Sequence, residues 1–422
     1  MIRRLAGGLR SRAERAARAC VERGLHPACF GYRWVRRETV PEYFARHKGS
    51  RRAGRYETVH PRSIARNPLP CNISSRDALG DVQGWWGFSF RDVPERASAE
   101  TFIATIPDCR LAWYRDPSLA DDFFPAVLAG DGTALDLREL RFRPGHGEVL
   151  RRSASPQRLR RATWIIERVY HNYSHWLTAH LPKLILLQRR RAIADLLLPP
   201  DRTPAIDASL RILGLEPERF PTFDPARPLR VDELTLVGTD RFRPELLRLV
   251  PEAFGVLDAP PPRRRLFISR GKAGRRRLVN EQDLWALLSG AGFERFHLED
   301  LTFPEQVRLM REAAVVCGLH GAGLANVLFC QPGAHVVEIA DPGFPNPNFY
   351  AIAAALGHRY WLLNAEPLAT GQAGAGAGWC DGPEAVRPGW RDLRVDVGMV
   401  ERILPGLTRS PSRPPAPGET WT

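Results

Sequence analysis

The residue types best suited to chemistry stand together in Cys317-Gly318-Leu319-His320-Gly321-Ala322-Gly323-Leu324-Ala325-Asn326. Apolar Ala313 to Val316 precede this stretch. Leu324, Val327, Leu328 and Phe329 follow it at helical spacing, so His320 to Gly323 is expected as a tight turn between a buried strand and a helix. Gly321 and Gly323 let the backbone approach a ligand closely, and free N–H groups at a helix start favour an anion. A plain strand-to-helix turn reads the same way, so the neighbours must decide. Loop 263–277 carries Arg263, Arg264, Arg265, Arg270, Lys272, Arg275, Arg276 and Arg277, and no acidic residue. Together, loop and turn describe a site for a strongly anionic group such as a diphosphate.

The elements that position these groups follow a regular order. Leu266 to Ser269 reads as a strand. Asn280 and Asp283 open a helix that Gly290 and Gly292 close, and Phe293 to Leu298 is the next strand. Thr302 and Glu305 form a capping box, and Phe303, Val307, Met310 and Ala314 make one apolar stripe. The strand at 315–319, the glycine turn, the Pro332-Gly333 turn and the strand His335 to Ile339 come next, followed by a helix from Asn348 to Leu356 and a strand from Tyr360 to Leu363. Alternation of this kind predicts a doubly wound parallel sheet, whose ligands bind at the carboxyl ends of the strands. Ser269 and Arg270, His320, and Glu338 with Asp341 all fall at such ends. Glu338 is placed there to grip ribose hydroxyls. A sugar nucleotide satisfies both features, and the implied chemistry is departure of a nucleoside diphosphate, with cationic groups and N–H donors absorbing the charge.

Upstream, Trp164 to Val169 is strand-like and leads through Asn172 and Ser174 into a helix bearing Trp176, Leu177, Leu181, Leu184, Ile185 and Leu187. His171 and His175, with Tyr170 and Tyr173, cluster where that helix begins. The positive helix end would hold a histidine neutral and able to act as a base, whereas Tyr173 and His175 could equally be hydrogen-bonded core residues. Thr101 to Ile106 and Leu229 to Gly238 read as strands, and Asp195 to Pro200 as a short buried one.

The chain of 422 residues is 44% hydrophobic and 26% charged, too long for a single ordinary core. Its net charge of +14 looks like a nucleic-acid signature until it is located: residues 1–66 hold 17 Lys and Arg against 5 Asp and Glu. The excess therefore belongs to an N-terminal arm, and basic residues interleaved with aromatics across a fold are missing, so no nucleic-acid partner is expected. Seven cysteines without a C-x-x-C pair argue against a disulfide framework or a zinc site and favour a reducing cytosol. The expected division is a basic arm over 1–80, helical over 1–23; an acceptor-side domain over 81–258; a proline linker at 258–263; a nucleotide-binding domain over 263–408; and a disordered tail over 409–422. Gly371 to Gly378 reads as a flexible linker. No apolar run is long enough to span a bilayer, and no secretory segment is recognised, so a cytoplasmic protein is expected, with the arm available for peripheral contact at the inner membrane face.

Several ordered motifs resemble glycosyltransferase family 61. They are Ile268-Ser269-Arg270, the Arg-rich run into Asn280-Glu281, Leu301-Thr302-Phe303-Pro304-Glu305-Gln306, His320 to Asn326, and Pro332-Gly333 leading to Glu338-Ile339. Asn172-Tyr173-Ser174-His175-Trp176 followed by Leu181-Pro182-Lys183-Leu184 also resembles the family, and the likeness covers roughly residues 160–365. The resemblance implies an α/β fold of GT-B type, two Rossmann-like domains with the donor held mainly by the second, and an inverting transfer from a nucleotide-sugar, a UDP-sugar first, to a glycan or lipid-linked glycan acceptor in cell-surface polysaccharide synthesis. The absence of a D-x-D triplet agrees with a site that needs no metal cofactor. The donor residues it implies are Ser269, Arg270, Arg276, Arg277, Asn280, His320, Gly321, Ala322, Gly323, Asn326 and Glu338, with His175 as the base and His171 as the alternative. A serine hydrolase would require a G-x-S-x-G elbow, which the chain lacks. A non-catalytic protein working through the basic arm, on membrane or nucleic acid, and a degenerate transferase that binds without turnover are the competing readings.

Overall fold

The computed structural model describes residues 16, 35–50, 54–80, 88–116, 122–152, 155–368 and 389–408. The expected helix over 1–23 (apart from Ala16), residues 85–87, the 371–378 linker and the 409–422 tail lie outside them.

β-Branched and aromatic runs build the first sheet. Its strands are β1 (Arg37–Thr39), β2 (Arg55–His60), β5 (Thr101–Asp116), β6 (Asp122–Leu128), β7 (Ala134–Asp136), β8 (Gln157–Trp164) and β9 (Leu229–Gly238), while β3 (Ser63–Arg66) and β4 (Glu95–Ser98) pair as a separate ribbon. The order is β1-β7-β6-β5-β9-β8, with β2 also on β5. This sheet departs from the Rossmann-like domain expected over 81–258. The 16-residue β5 pairs antiparallel with β2, β6 and β9, and only β1 with β7 and β8 with β9 run parallel. Short connections such as that between β5 and β6 leave no room for the crossover helices that parallel strands need. Asp195 to Pro200 contributes only single bridges, Leu196 to Thr163 and Leu198 to Thr222.

The second sheet meets the expectation for its half of the chain. It comprises β10 (Arg264–Ile268), β11 (Glu294–Phe296), β12 (Ala313–Leu319), β13 (His335–Ala340) and β14 (Arg359–Asn364), all parallel, in the order β11-β10-β12-β13-β14. This is a doubly wound sheet whose order reverses between β10 and β12, the switch point where such sheets bind ligands. Helices α2 (Glu281–Gly290), α3 (Phe303–Arg311) and α4 (Asn348–Leu356) connect the strands, preceded in the chain by α1 (Leu181–Arg189). The Thr302–Glu305 capping box on α3 is formed. Beyond the sheet, β15 (Glu366–Pro367) pairs with β16 (Leu393–Arg394), and α5 (Val397–Thr408) docks after it.

The arm expected over 1–80 is built into both sheets from residue 35 onward. Beyond β1 and β2, Asn72 clamps the edge of β14: its amide donates to the Leu362 carbonyl at 2.7 Å and its oxygen accepts from the Leu362 N–H at 3.0 Å. The Cys71 N–H donates to the Tyr360 carbonyl, and Tyr350 Oη donates to the Pro68 carbonyl at 2.5 Å. Pairing of this kind covers an edge strand that would otherwise expose unpaired backbone groups. One cluster of buried apolar side chains runs from Val40 through Trp164 and Leu229 to Phe329 and Leu362, so the two sheets share a core. A smaller cluster, including Phe267, Leu284, Val337 and Leu407, fills the other face of the parallel sheet.

Burial also fixes how the fold responds to acid. It pushes His146, His335 and His358 down to about 4, and holds His175 and His180 well below the ordinary imidazole value. A lowered value means that the unfolded chain binds these protons first, so stability is complete above the unfolded pKa near 6.5 and drains as pH falls towards 4. With three to five histidines contributing, Tm scans between pH 7 and 4 should show a steep decline, at about 4–7 kcal/mol per pH unit near pH 5. A flat profile above pH 4.5 would show that these rings are not held neutral.

Candidate active site

At the carboxyl end of β12 the chain turns through His320 and Gly321 into a 3-10 helix, Ala322–Phe329. Gly321 is extended there, at φ 179°, and its lack of a side chain serves a close approach: a Cβ would lie 2.3 Å from Arg270 Nη1. The Arg270 guanidinium therefore rests on the turn. Its Nε donates to the Arg276 carbonyl at 3.1 Å and its Nη2 to the Arg275 carbonyl at 3.0 Å. Arg276, in left-handed backbone at φ 56°, donates from Nη1 to the His320 carbonyl at 3.2 Å, and its Nε is buried without a partner. Among the described residues neither guanidinium makes an ion pair, and both bond only neutral carbonyls. Burial, then the neighbouring Arg270 and Arg275, pushes Arg276 down to about 9, still charged at neutral pH. Two adjacent half-buried cations without a counter-ion are costly, and an anion placed between them would offset that cost.

Beside them His320 Nδ1 bonds Glu338 Oε1, and Tyr360 Oη donates to Glu338 Oε2 at 2.5 Å. Glu338 is completely buried on β13, with both oxygens engaged inside the protein. The expected ribose grip is therefore corrected: this carboxylate orients His320. Tyr360 is the residue that sequence reasoning missed. On β14 it pairs with Val336 and stands diagonal to Glu338, within reach of a long side chain. His320 is itself 7% exposed and packs against Phe349 and Phe344. Its Nε2 carries no hydrogen bond among the described residues.

Three expected donor residues do structural work instead. Arg277 pairs with Asp392, from Nη2 at 2.9 Å and Nε at 3.2 Å. Asn280 clasps the backbone of Val395 through both amide atoms, at 2.8 and 3.1 Å, and makes no side-chain cap on α2. Ser269 donates to Glu281 Oε1 at 2.6 Å and accepts from the Gly271 N–H at 3.0 Å, which shapes the basic loop. Asp341 is likewise held by Arg391, with an Nη2–Oδ1 separation of 2.8 Å. In Asn326 the amide is fully enclosed: Oδ1 accepts from Tyr173 Oη at 2.6 Å, and Nδ2 donates to Gln306 Oε1 and the Gly323 carbonyl, each at 3.0 Å. That network ties the Tyr173–His175 turn to the glycine turn. A Cβ on Gly323 would meet Leu298 at 3.0 Å, whereas Ala322 already carries one.

Asn172 caps the turn that begins at Tyr173, accepting from the His175 N–H at 3.3 Å, and a π-helical turn, Trp176–His180, leads into α1. His175 is neutral, as expected, but through burial and then the cations Arg241 and Arg138 rather than through the helix end alone. Arg241 Nη1 donates to His175 Nε2 at 3.1 Å, while its other nitrogens bond Thr178 Oγ1 and Ser174 Oγ. The acceptor nitrogen a base would use is therefore occupied, which argues against His175 in that role. Arg241 was not anticipated, although its place three residues past the end of β9 is the signal that could have found it. His171 stands apart, its Nε2 3.0 Å from Asp201 Oδ2.

Residues 173–337 match the family model described as Glycosyltransferase 61. This stretch is a glycosyltransferase 61 domain. A beta-1,2-xylosyltransferase of Arabidopsis thaliana is 29% identical over 111 residues, covering 22% of this chain and 21% of that protein. Beta-1,2-xylosyltransferase XAX1 of Oryza sativa subsp. japonica is 30% identical over 142 residues, covering 33% and 25%. A third relative, beta-1,2-xylosyltransferase RCN11 of the same rice, is 34% identical over 64 residues, covering 15% and 12%. The matches thus span a quarter or less of each relative's length. The glycosyltransferase 61 domain contains Tyr173, Arg241, Arg270, Arg276, His320 and Asn326. Glu338 follows its last matched residue directly, and Tyr360 completes the His320 relay from outside it.

Proposed function

We propose that this protein is an inverting glycosyltransferase that moves a sugar from a nucleotide-sugar to a hydroxyl of a glycan acceptor. The observation that carries the reading is the pair Arg270 and Arg276, half-buried, charged and bonded only to carbonyls beside the glycine turn at the sheet's switch point. The donor diphosphate lies between these guanidiniums. As the bond from the anomeric carbon to the phosphate oxygen breaks, the departing nucleoside diphosphate gathers charge that the two cations and the turn's N–H groups absorb. The attacking acceptor hydroxyl gives its proton to His320 Nε2, whose ring Glu338 holds in place through Nδ1–H. The parallel sheet serves as the donor half of a GT-B-like layout, and the mixed sheet as the acceptor half.

The relatives' names make UDP-xylose the first donor to test, with other UDP-, GDP- and CMP-sugars as the wider panel and a set of oligosaccharides as acceptors. Release of nucleotide that depends on the acceptor, with the anomeric configuration of the product inverted by NMR, is the expected outcome. Retention of configuration, or nucleotide release from no donor in the panel, would contradict the reading. Action at the inner membrane face on a cell-surface polysaccharide belongs to the same proposal. It predicts that removing residues 1–34 weakens sedimentation with anionic vesicles.

A further inference from the structure

A cavity of ≈ 230 Å³ shares no lining residue with the glycine turn and lies where β5 ends and β6 begins, against the loops around Asp201 and Phe223. Its floor is aromatic. Trp113, Phe123 and Phe223 are buried, with the Trp113 and Phe223 rings 4.7 Å apart and Trp113 and Phe123 6.1 Å apart, and Tyr114 adds a wall. Its rim is charged and open to solvent. Arg115 Nη2 donates to Asp201 Oδ2 at 2.6 Å and to Tyr170 Oη at 2.9 Å, Tyr170 Oη donates to Asp201 Oδ1 at 2.5 Å, and His171 Nε2 stands 3.0 Å from Asp201 Oδ2. Burial alone would raise Asp201, but hydrogen bonds from Tyr170 and His171 outweigh it and keep the carboxylate below its ordinary range, hence ionised. With three partners on its two oxygens, it retains capacity to accept one more hydroxyl.

An apolar floor under a charged, hydrogen-bonding rim matches the two sides of a sugar ring, its C–H face and its hydroxyl edge. Size selects further: the cavity is smaller than the roughly 300–1,000 Å³ of pockets that hold drug-sized molecules, so it suits one ring and not a whole nucleotide-sugar. The carboxylate on the rim disfavours a phosphate. His171 lies two residues before Tyr173, whose hydroxyl bonds Asn326 beside the glycine turn. Trp113, Tyr114, Arg115 and Phe123 all precede the matched stretch 173–337, so half of this site lies outside the glycosyltransferase 61 domain.

We infer that this cavity is a subsite for one monosaccharide unit of the acceptor glycan, its C–H face against Trp113 and Phe223 and its hydroxyls on Asp201 and Arg115. The inference deepens the transfer reading and rests on it for the word acceptor. The test is saturation-transfer NMR on the full chain with methyl β-xylopyranoside, methyl β-glucopyranoside, methyl β-galactopyranoside and methyl α-mannopyranoside, each with and without excess UDP. At least one glycoside should receive saturation that UDP leaves unchanged. Asp201→Asn and Arg115→Gln should each weaken that binding by about tenfold, the loss expected for a hydrogen bond to a charged group. Both residues sit on the solvent-exposed rim, and a Tm scan is the check that the variants fold. No saturation of any glycoside in the wild type, equal signals in both variants, or displacement by UDP would overturn the subsite. Absent binding of UDP, GDP and CMP alike, alongside intact, variant-sensitive glycoside binding, would instead overturn the transfer reading and leave a sugar-binding cavity standing.

Discussion

Arg276→Gly is expected to leave the protein as stable as the wild type, or more so, while removing nearly all transfer. The native residue holds left-handed backbone at φ 56°, which glycine adopts without strain, and the substitution also removes one of two adjacent half-buried cations. The hydrogen bond to the His320 carbonyl, at 3.2 Å, is a modest loss against those gains. Function runs the other way. Losing a charge-assisted contact to the diphosphate should weaken nucleotide binding by about 10- to 100-fold. Losing the same group as charge develops on the leaving phosphate should lower kcat by a further factor of about 10²–10³. A thermal scan and a nucleotide-release assay on one preparation check both halves. A variant that retains transfer would remove Arg276 from the site, and one that unfolds would make the residue structural.

The second large effect is expected at Glu338. Glu338→Gln keeps the size of the side chain and a partner for Tyr360, yet it cannot hold His320 Nδ1–H as a carboxylate does. Transfer should fall by about 10²–10⁴ in kcat, by analogy with other enzymes in which a histidine base loses its orienting carboxylate, while KM for the donor changes little. Equal losses in kcat and in nucleotide affinity would show that Glu338 only supports the fold. Glu338→Ala is the harsher control. It strands the Tyr360 hydroxyl and the His320 ring in a buried setting and should cost about 3 kcal/mol of stability.

The parallel half was legible because its signals are local. The Thr302–Glu305 box, the glycines at the end of α2 and the apolar runs of β12 and β13 each specify an element within a few residues. The mixed sheet was not legible because its pairings are distant. β1 and β2 look like fragments of a basic arm until β7 and β5 supply partners tens of residues away. The same contrast runs through the site. His320, Gly321 and Arg270 are brought together by their place beyond strand ends, and Arg276 joins them from the basic loop. Arg277 and Asn280 read equally well as ligand residues, because nothing near them in sequence reveals Asp392 and Val395, each 115 residues on. Glu338 was expected at a strand end but lies inside β13, where the strand register brings Tyr360 to its second oxygen.

The most direct test of the central claim is calorimetric titration of the wild-type chain with UDP, GDP and CMP, and with the parent nucleoside of whichever binds. A site built on Arg270 and Arg276 predicts that one nucleotide binds, that its nucleoside binds at least about 100-fold more weakly because the charge-assisted contacts are gone, and that added salt reduces the difference. Binding of the nucleoside as tight as that of its nucleotide, or binding of none of the three, would contradict a donor site at the glycine turn.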